Sequence, residues 1–213
     1  MKKILTALIT CFIALSFAAP SEAAKPKRIL PPTIIAAGDS ITQGVGAPAG
    51  WDWPSRLQFY SGATVTNVGH GGSCLVFTGC GYGPTLLQTF DSEVLAKSPA
   101  ATIVAPGRND FCHVTTDVMI DAILRLRGRA RNAGVQFYVA TVTPAGAAWP
   151  WPCEDQRRDY NNRLRQMPNV LDFESVIKNQ NDRLPWKYDS GDGLHLNAGG
   201  YDALGAFAAV YFR

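Results

Sequence analysis

Five short apolar runs punctuate the chain: PTIIAAG, ATVTNVG, ATIVAPG, VQFYVATVTP and NVLDF. Each is rich in β-branched residues and continuous rather than strictly alternating in polarity, the pattern of strands covered on both faces. Helix-like periodicity fills the intervals. In TTDVMIDAILRLRGRARNAG, residues Met119, Ile123, Leu126 and Ala130 fall at helical spacing, Thr115 or Thr116 can cap the first turn, and Gly134 offers a left-handed stop. PTLLQTFDSEVLAK predicts a second helix opened by Pro84. NAGGYDALGAFAAVYFR predicts a last one, with Ala203, Ala206, Phe207, Val210 and Tyr211 as its buried face. Strand and helix thus alternate through the chain, which argues an α/β fold with a parallel sheet between two helical layers. No repeat, low-complexity tract or internal linker interrupts it.

The N-terminus stands apart from this pattern. Residues 1–23, MKKILTALITCFIALSFAAPSEA, carry Lys2 and Lys3, then an apolar core, then the small residues Ser21 and Ala23 around a cleavage position. That is the anatomy of a secretory signal peptide. The core is shorter than the ~20 apolar residues a spanning helix needs. The expected organisation is a signal peptide at 1–23, a flexible entry segment at 24–32 and one domain at 33–213, secreted or periplasmic. Of the formal charge of +3, cleavage removes two lysines and one glutamate and leaves +2. No basic stripe or second apolar span follows, so neither nucleic acid nor stable membrane insertion is expected. A monomer is expected.

Cys74, Cys80, Cys112 and Cys153 remain after cleavage. An even count in an exported chain favours two disulfides, although four cysteines allow three pairings. Close CxxC or HxxxH pairs are missing, so no metal is expected, and no motif calls for a cofactor.

In a parallel α/β sheet, functional groups gather at the carboxyl ends of the strands. GDSITQG, with Ser40, follows the first run; NVGHGG, with Gly72, closes the second; GRND, with Asn109, follows the third; DGLHLNAGGY, with Asp192 and His195, precedes the last helix. Singly, each reads as an ordinary turn or cap. Together and in this order they resemble the SGNH hydrolases, the GDSL esterase and lipase family, over about Thr33 to Tyr201. The resemblance implies a three-layer α/β/α sandwich with a flavodoxin-like five-stranded sheet in the order 2-1-3-4-5. It implies Ser40 as nucleophile, an oxyanion hole of Ser40, Gly72 and Asn109, and Asp192 and His195 as the remainder of a triad. Arg108 and Pro106 vary the Asn block, where a small residue is more usual before the Asn. With strands three and four adjacent in that order, their exit loops adjoin, and Cys112 is expected to pair with Cys153. Cys74 then pairs with Cys80 across the loop after Gly72.

The residue chemistry agrees with these roles. A serine hydroxyl needs a base within hydrogen-bond reach, and the base needs an orienting acid. Asp192, three residues before His195, shares its loop and can reach the near ring nitrogen. A Cβ at position 72 would crowd a backbone N–H directed at the substrate oxygen. His70 and His113 are rival bases without an acid at that spacing, and Asp39 and Asp110 read as supports for loop backbone. Trp51 and Trp53, and Trp149 and Trp151, read equally as core packing or as a platform for a sugar ring or acyl chain.

The expected function is a serine esterase without cofactor, acting through an acyl-enzyme on short acyl groups of a glycan or small-molecule ester. The alternatives are a lysophospholipase or thioesterase-type acylhydrolase, and a noncatalytic carbohydrate-binding protein on the same fold. An α/β-hydrolase is disfavoured because no GxSxG elbow occurs.

Overall fold

The computed structural model describes residues 30–147 and 153–212. The expected signal peptide, residues 24–29 of the expected entry segment, Trp149 and Trp151 lie outside the described residues. Leu30 packs against the domain, and the Pro32 carbonyl accepts from Thr64 N–H at 3.0 Å.

Five parallel strands form one sheet in the order β2-β1-β3-β4-β5. They are β1 (Thr33–Gly38), β2 (Thr64–Gly69), β3 (Ala101–Ala105), β4 (Gln136–Ala140) and β5 (Val170–Leu171). Among the described residues seven α-helices accompany them: α1 (Ser40–Gln43), α2 (Trp53–Ser61), α3 (Leu86–Glu93), α4 (Thr116–Asn132), α5 (Glu154–Leu164), α6 (Phe173–Ile177) and α7 (Ala198–Tyr211). Alternate residues of each strand feed opposite cores, as the pleat requires. Ile35, Ala37, Val104 and Val139 meet the apolar faces of α3, α4 and α5. Ile34, Ala36, Ile103 and Tyr138 meet α2, α6 and α7. The flavodoxin-like α/β/α architecture is therefore present, with strand order 2-1-3-4-5.

Local expectations fare unevenly. Met119, Ile123, Leu126 and Ala130 of α4 are all buried, and Thr115 caps it by accepting from Val118 N–H. The second helix begins later than Pro84 suggests. Thr85 is its N-cap, in a capping box with Gln88, because the Gln88 side chain can reach back to the Thr85 N–H. β2 is not covered on both faces: as an edge strand it keeps Thr64, Thr66 and Asn67 exposed.

The face of α7 needs correction. Tyr201, Leu204, Gly205, Ala208 and Ala209 are buried, whereas Val210 is 61% exposed and Ala203, Ala206, Phe207 and Tyr211 are only partly covered. Close approach of α2 turns the helix this way. A Cβ on Gly205 would stand 2.3 Å from Arg56 Cβ and 2.8 Å from Leu57 N. The contact selects the smallest residues rather than the most apolar ones, and small size is invisible to a periodicity of hydrophobicity.

Candidate active site

All the singled-out loops meet at the carboxyl end of the sheet. β1 ends at Gly38, where a Cβ would stand 2.3 Å from Thr42 Oγ1 and 2.6 Å from the Ala105 carbonyl oxygen. The chain there turns at once into the single helical turn α1. Asp39 caps α1 by accepting from Ile41 N–H at 3.0 Å, and Gly44 ends it at φ +93°. Ser40 is thereby the first residue of a helix, where the backbone N–H has no intrahelical acceptor. The residue is 8% exposed.

The His195 loop is brought to Ser40 from the far end of the chain. Asp189 bridges Leu196, Ser190 N–H donates to the His195 carbonyl at 3.0 Å, and Tyr201 Oη donates to the Val45 carbonyl at 2.7 Å. Gly46, at φ +94°, lies so close that a Cβ would meet Ser190 Cβ at 2.7 Å. In this arrangement His195 Nε2 is 3.0 Å from Ser40 Oγ and His195 Nδ1 is 2.5 Å from Asp192 Oδ2. Asp192 Oδ1 accepts from the N–H groups of Leu194 at 2.9 Å and His195 at 2.8 Å. Partial burial opposes the Asp192 charge, but the His195 side chain and these two N–H groups together hold the carboxyl down at about 2.

Gly72 and Asn109 lie on the loops after β2 and β3. His70 N–H donates to the Gly38 carbonyl at 3.0 Å and Gly71 N–H to Gln43 Oε1 at 2.7 Å, which ties the end of β2 to α1. Gly72 has φ +76°, and an added Cβ would meet only ordinary contacts. Within the protein, the requirement for glycine at this position is its left-handed backbone. Asn109 Nδ2 donates to the Ser73 carbonyl at 2.7 Å, joining the third loop to the second. Asp110, buried, accepts from Leu75 N–H at 2.6 Å and from Val76 and Phe77 N–H at 2.9 Å each. Burial raises its carboxyl above the usual range in spite of these three bonds. Cys74 is joined to Cys80 and Cys112 to Cys153, as expected.

The rival histidines are elsewhere. His70 Nε2 lies 3.0 Å from Glu93 Oε2, with the ring stacked on Tyr82, and His113 stacks on Phe77. Trp53 is wholly buried against Phe173, whereas Trp51 is exposed with the Arg56 guanidinium over its ring, so the two do not form a shared platform.

Sequence reading missed the buried ionic support beneath the site. Arg108, beside Asn109, is 1% exposed; its guanidinium donates to the Thr143 carbonyl and, at 3.0 Å, to Glu154 Oε1. Glu154 also pairs with Arg157, which is itself wholly buried and reaches Glu174 and Asp182. The only signal was the atypical Arg108 in the Asn block. Nothing marked Arg157, because a charge on a helix reads as a solvated face.

Asp39 is a further buried ionisable residue. Burial raises its carboxyl to about 6, against the Ile41 N–H and the Arg108 charge, which favour the anion. The folded chain thus binds this proton more tightly than the unfolded chain, whose carboxyl titrates at the ordinary aspartate value of about 3.9. The contribution of Asp39 to stability should be largest near pH ~4 and decline as pH rises through ~6, by about 2–3 kcal/mol in total. Urea unfolding of wild type and Asp39→Asn at acidic and mildly alkaline pH checks this: the wild type should lose stability relative to the variant as pH rises. Asp192 titrates below this window.

A model of the GDSL-like lipase/acylhydrolase family matches residues 36–203. The chain belongs to that family. As a GDSL-like acylhydrolase it also has solved structural relatives. One is a protein from Desulfitobacterium hafniense DCB-2 placed in the lipolytic G-D-S-L family; it is 20% identical, with a TM-score of 0.72 over 84% of this chain and 98% of that one. An acetyl xylan esterase, AlAXEase, is 18% identical, with a TM-score of 0.67 over 85% and 100% of the two chains. A carbohydrate acetylesterase from Sinorhizobium meliloti is 16% identical, with a TM-score of 0.67 over 84% and 97%. At these identities the likeness is one of fold. Among curated proteins, none matches this chain in sequence. Among the described residues of this acylhydrolase, no helix is long and apolar enough to cross a membrane, and no group of three or more His, Cys, Asp or Glu could hold a metal ion.

Proposed function

We propose that this acylhydrolase is an exported serine esterase that removes short acyl groups from carbohydrate. The observation that carries the reading is the imidazole of His195, with Nε2 3.0 Å from Ser40 Oγ and Nδ1 on Asp192. Ser40 Oγ attacks the acyl carbonyl carbon while His195 Nε2 takes its proton. Negative charge then develops on the carbonyl oxygen, and the N–H groups of Ser40 and Gly72 and the Asn109 amide are the donors we assign to it. Collapse breaks the ester bond, and the leaving sugar oxygen takes the proton from Nε2. Water attacks the acyl-Ser40 ester in the second half, its proton passes to His195, and Ser40 Oγ recovers that proton as the acid leaves. Asp192 keeps the ring in the tautomer that presents a bare Nε2 to the serine.

Export is supported by the leader-like first 23 residues and by two disulfides, which persist in oxidising compartments. Carbohydrate is supported by the acetyl xylan esterase and carbohydrate acetylesterase of the same fold. The test pairs acetate release from O-acetylated xylan with a chain-length series of p-nitrophenyl esters. Acetate release and a preference for acetyl over octanoyl of at least about tenfold are expected, since discrimination of about 1–3 kcal/mol per methylene is typical of a closed acyl pocket. Preference for palmitoyl would favour the lipolytic alternative, and no turnover on any ester the noncatalytic one.

A further inference from the structure

Tyr82 is a ring held beside the site by its backbone and one face. Its N–H donates to the Gly72 carbonyl at 3.2 Å, and Gly71 brings the same turn to Ser40, since a Cβ there would stand 4.0 Å from Ser40 Cβ. One face of the phenol stacks on His70, with ring centroids 4.3 Å apart and planes 8° apart, and Glu93 holds that imidazole at Nε2. Tyr82 itself is half-buried. Gly81 and Gly83 are exposed, and a Cβ on either would meet nothing within 4 Å. Among the described residues the Tyr82 hydroxyl has no hydrogen-bond partner.

A second stacked pair, Phe77 and His113, belongs to the same loop system, with centroids 4.5 Å apart. Phe77 is half-buried, with the Gly79 backbone against its ring: a Cβ on Gly79 would lie 2.5 Å from its Cζ. Phe77 thus has both His113 and the Gly79 backbone beside it, whereas the ring partner of Tyr82 is His70.

From this placement we infer that Tyr82 is a sugar-binding platform, on which the pyranose ring carrying the scissile acyl group stacks. The inference rests on the proposed esterase reading. With the acyl oxygen held at the Gly72 N–H, the ring bearing the ester oxygen is only a few bonds away, within reach of the residue bonded to Gly72. A pyranose has an apolar face of C–H groups and a rim of hydroxyls. It suits a flat aromatic face with a free phenol at its tip and glycines on either side. An alkyl chain gains most from burial on all sides, and two exposed glycines provide no wall for it.

The experiment compares kcat/KM on O-acetylated xylo-oligosaccharides with kcat/KM on p-nitrophenyl acetate, which has no sugar ring. Tyr82→Ala should lower the ratio of the two about tenfold, mainly through KM on the oligosaccharide, and Tyr82→Phe should retain most of it. Melting curves of both variants verify folding. The platform is overturned if the ratio stays at the wild-type value, or if both substrates fall in parallel, which would make Tyr82 a brace for Gly72. It is overturned too if wild type cleaves p-nitrophenyl acetate but no acetylated glycan; the esterase then stands and its carbohydrate substrate does not. Loss of the esterase reading itself has a different signature: no ester turnover and no fluorophosphonate adduct in wild type.

Discussion

Replacing Ser40 with alanine should lower ester turnover by about 10⁶-fold and abolish labelling by a fluorophosphonate. The hydroxyl is the only atom of the proposed machinery that forms a bond to the acyl carbon, so its loss removes the covalent route while leaving the oxyanion donors in place. The variant should fold, because Asp39 continues to cap α1 through its own side chain and an alanine fits where a nearly buried serine stood. Asp192→Asn offers a second reading of the same machinery. An amide oxygen can still accept from Leu194 and His195 N–H, preserving the loop. Its NH₂, however, would face Nδ1 and force the tautomer with a proton on Nε2, pointing at Ser40 Oγ. Turnover should fall about 10⁴-fold with the melting temperature little changed. Intact-mass analysis after probe treatment, together with steady-state kinetics, decides the matter. A Ser40→Ala protein that still turns over ester, or a probe adduct on another residue, would refute the assignment.

The double variant Cys112→Ser/Cys153→Ser should be the more damaging of the two disulfide removals. The bridge closes a loop with a sequence separation of 41 residues, against 6 for Cys74 and Cys80. Loop-closure entropy gives about 4 kcal/mol for the longer loop and about 2 kcal/mol for the shorter. For a domain of this size the longer bridge then corresponds to a fall in melting temperature of roughly 8–16 °C. Activity should suffer as well. Cys112 lies three residues after Asn109, and Cys153 immediately precedes Glu154, the carboxylate that holds Arg108. Freeing the start of α5 loosens the ionic support under the Asn109 loop, so kcat on p-nitrophenyl acetate should drop even at temperatures where the variant is folded. Calorimetry on both double variants, with kinetics at low temperature, tests the ranking. Equal losses from the two pairs, or an unaffected kcat, would count against this coupling.

The strands and the candidate site were legible because both are written in short stretches of chain. β1, β3 and β4 are buried runs bounded by breakers, and α4 carries a clear apolar stripe. Asp192 and His195 sit three residues apart on one loop, so their contact needs no tertiary information beyond the turn itself. Ser40 and His195, 155 residues apart, could be joined on paper only through resemblance to a family. Asp39 was readable as a backbone support, since Asp beside a turn commonly bonds nearby N–H groups; Asp110 was readable as one too, but the N–H groups it holds, those of Leu75, Val76 and Phe77, come from a distant loop.

The sequence by itself determined the α/β class, the strand positions, the four blocks at the strand ends and the supply of cysteines, because each depends on neighbours in the chain. Tertiary structure decided what depends on close approach between distant segments. α7 turned its small residues inward because α2 comes within reach of Gly205. β2 stayed half open because it fell at the sheet edge. Arg108 and Arg157 went into the interior because carboxylates and a carbonyl from other elements met them there. Hydrophobic periodicity records how often a position meets water on average. It carries no information about which distant backbone or charge arrives at a given spot, and packing and ion pairing respond to that arrival.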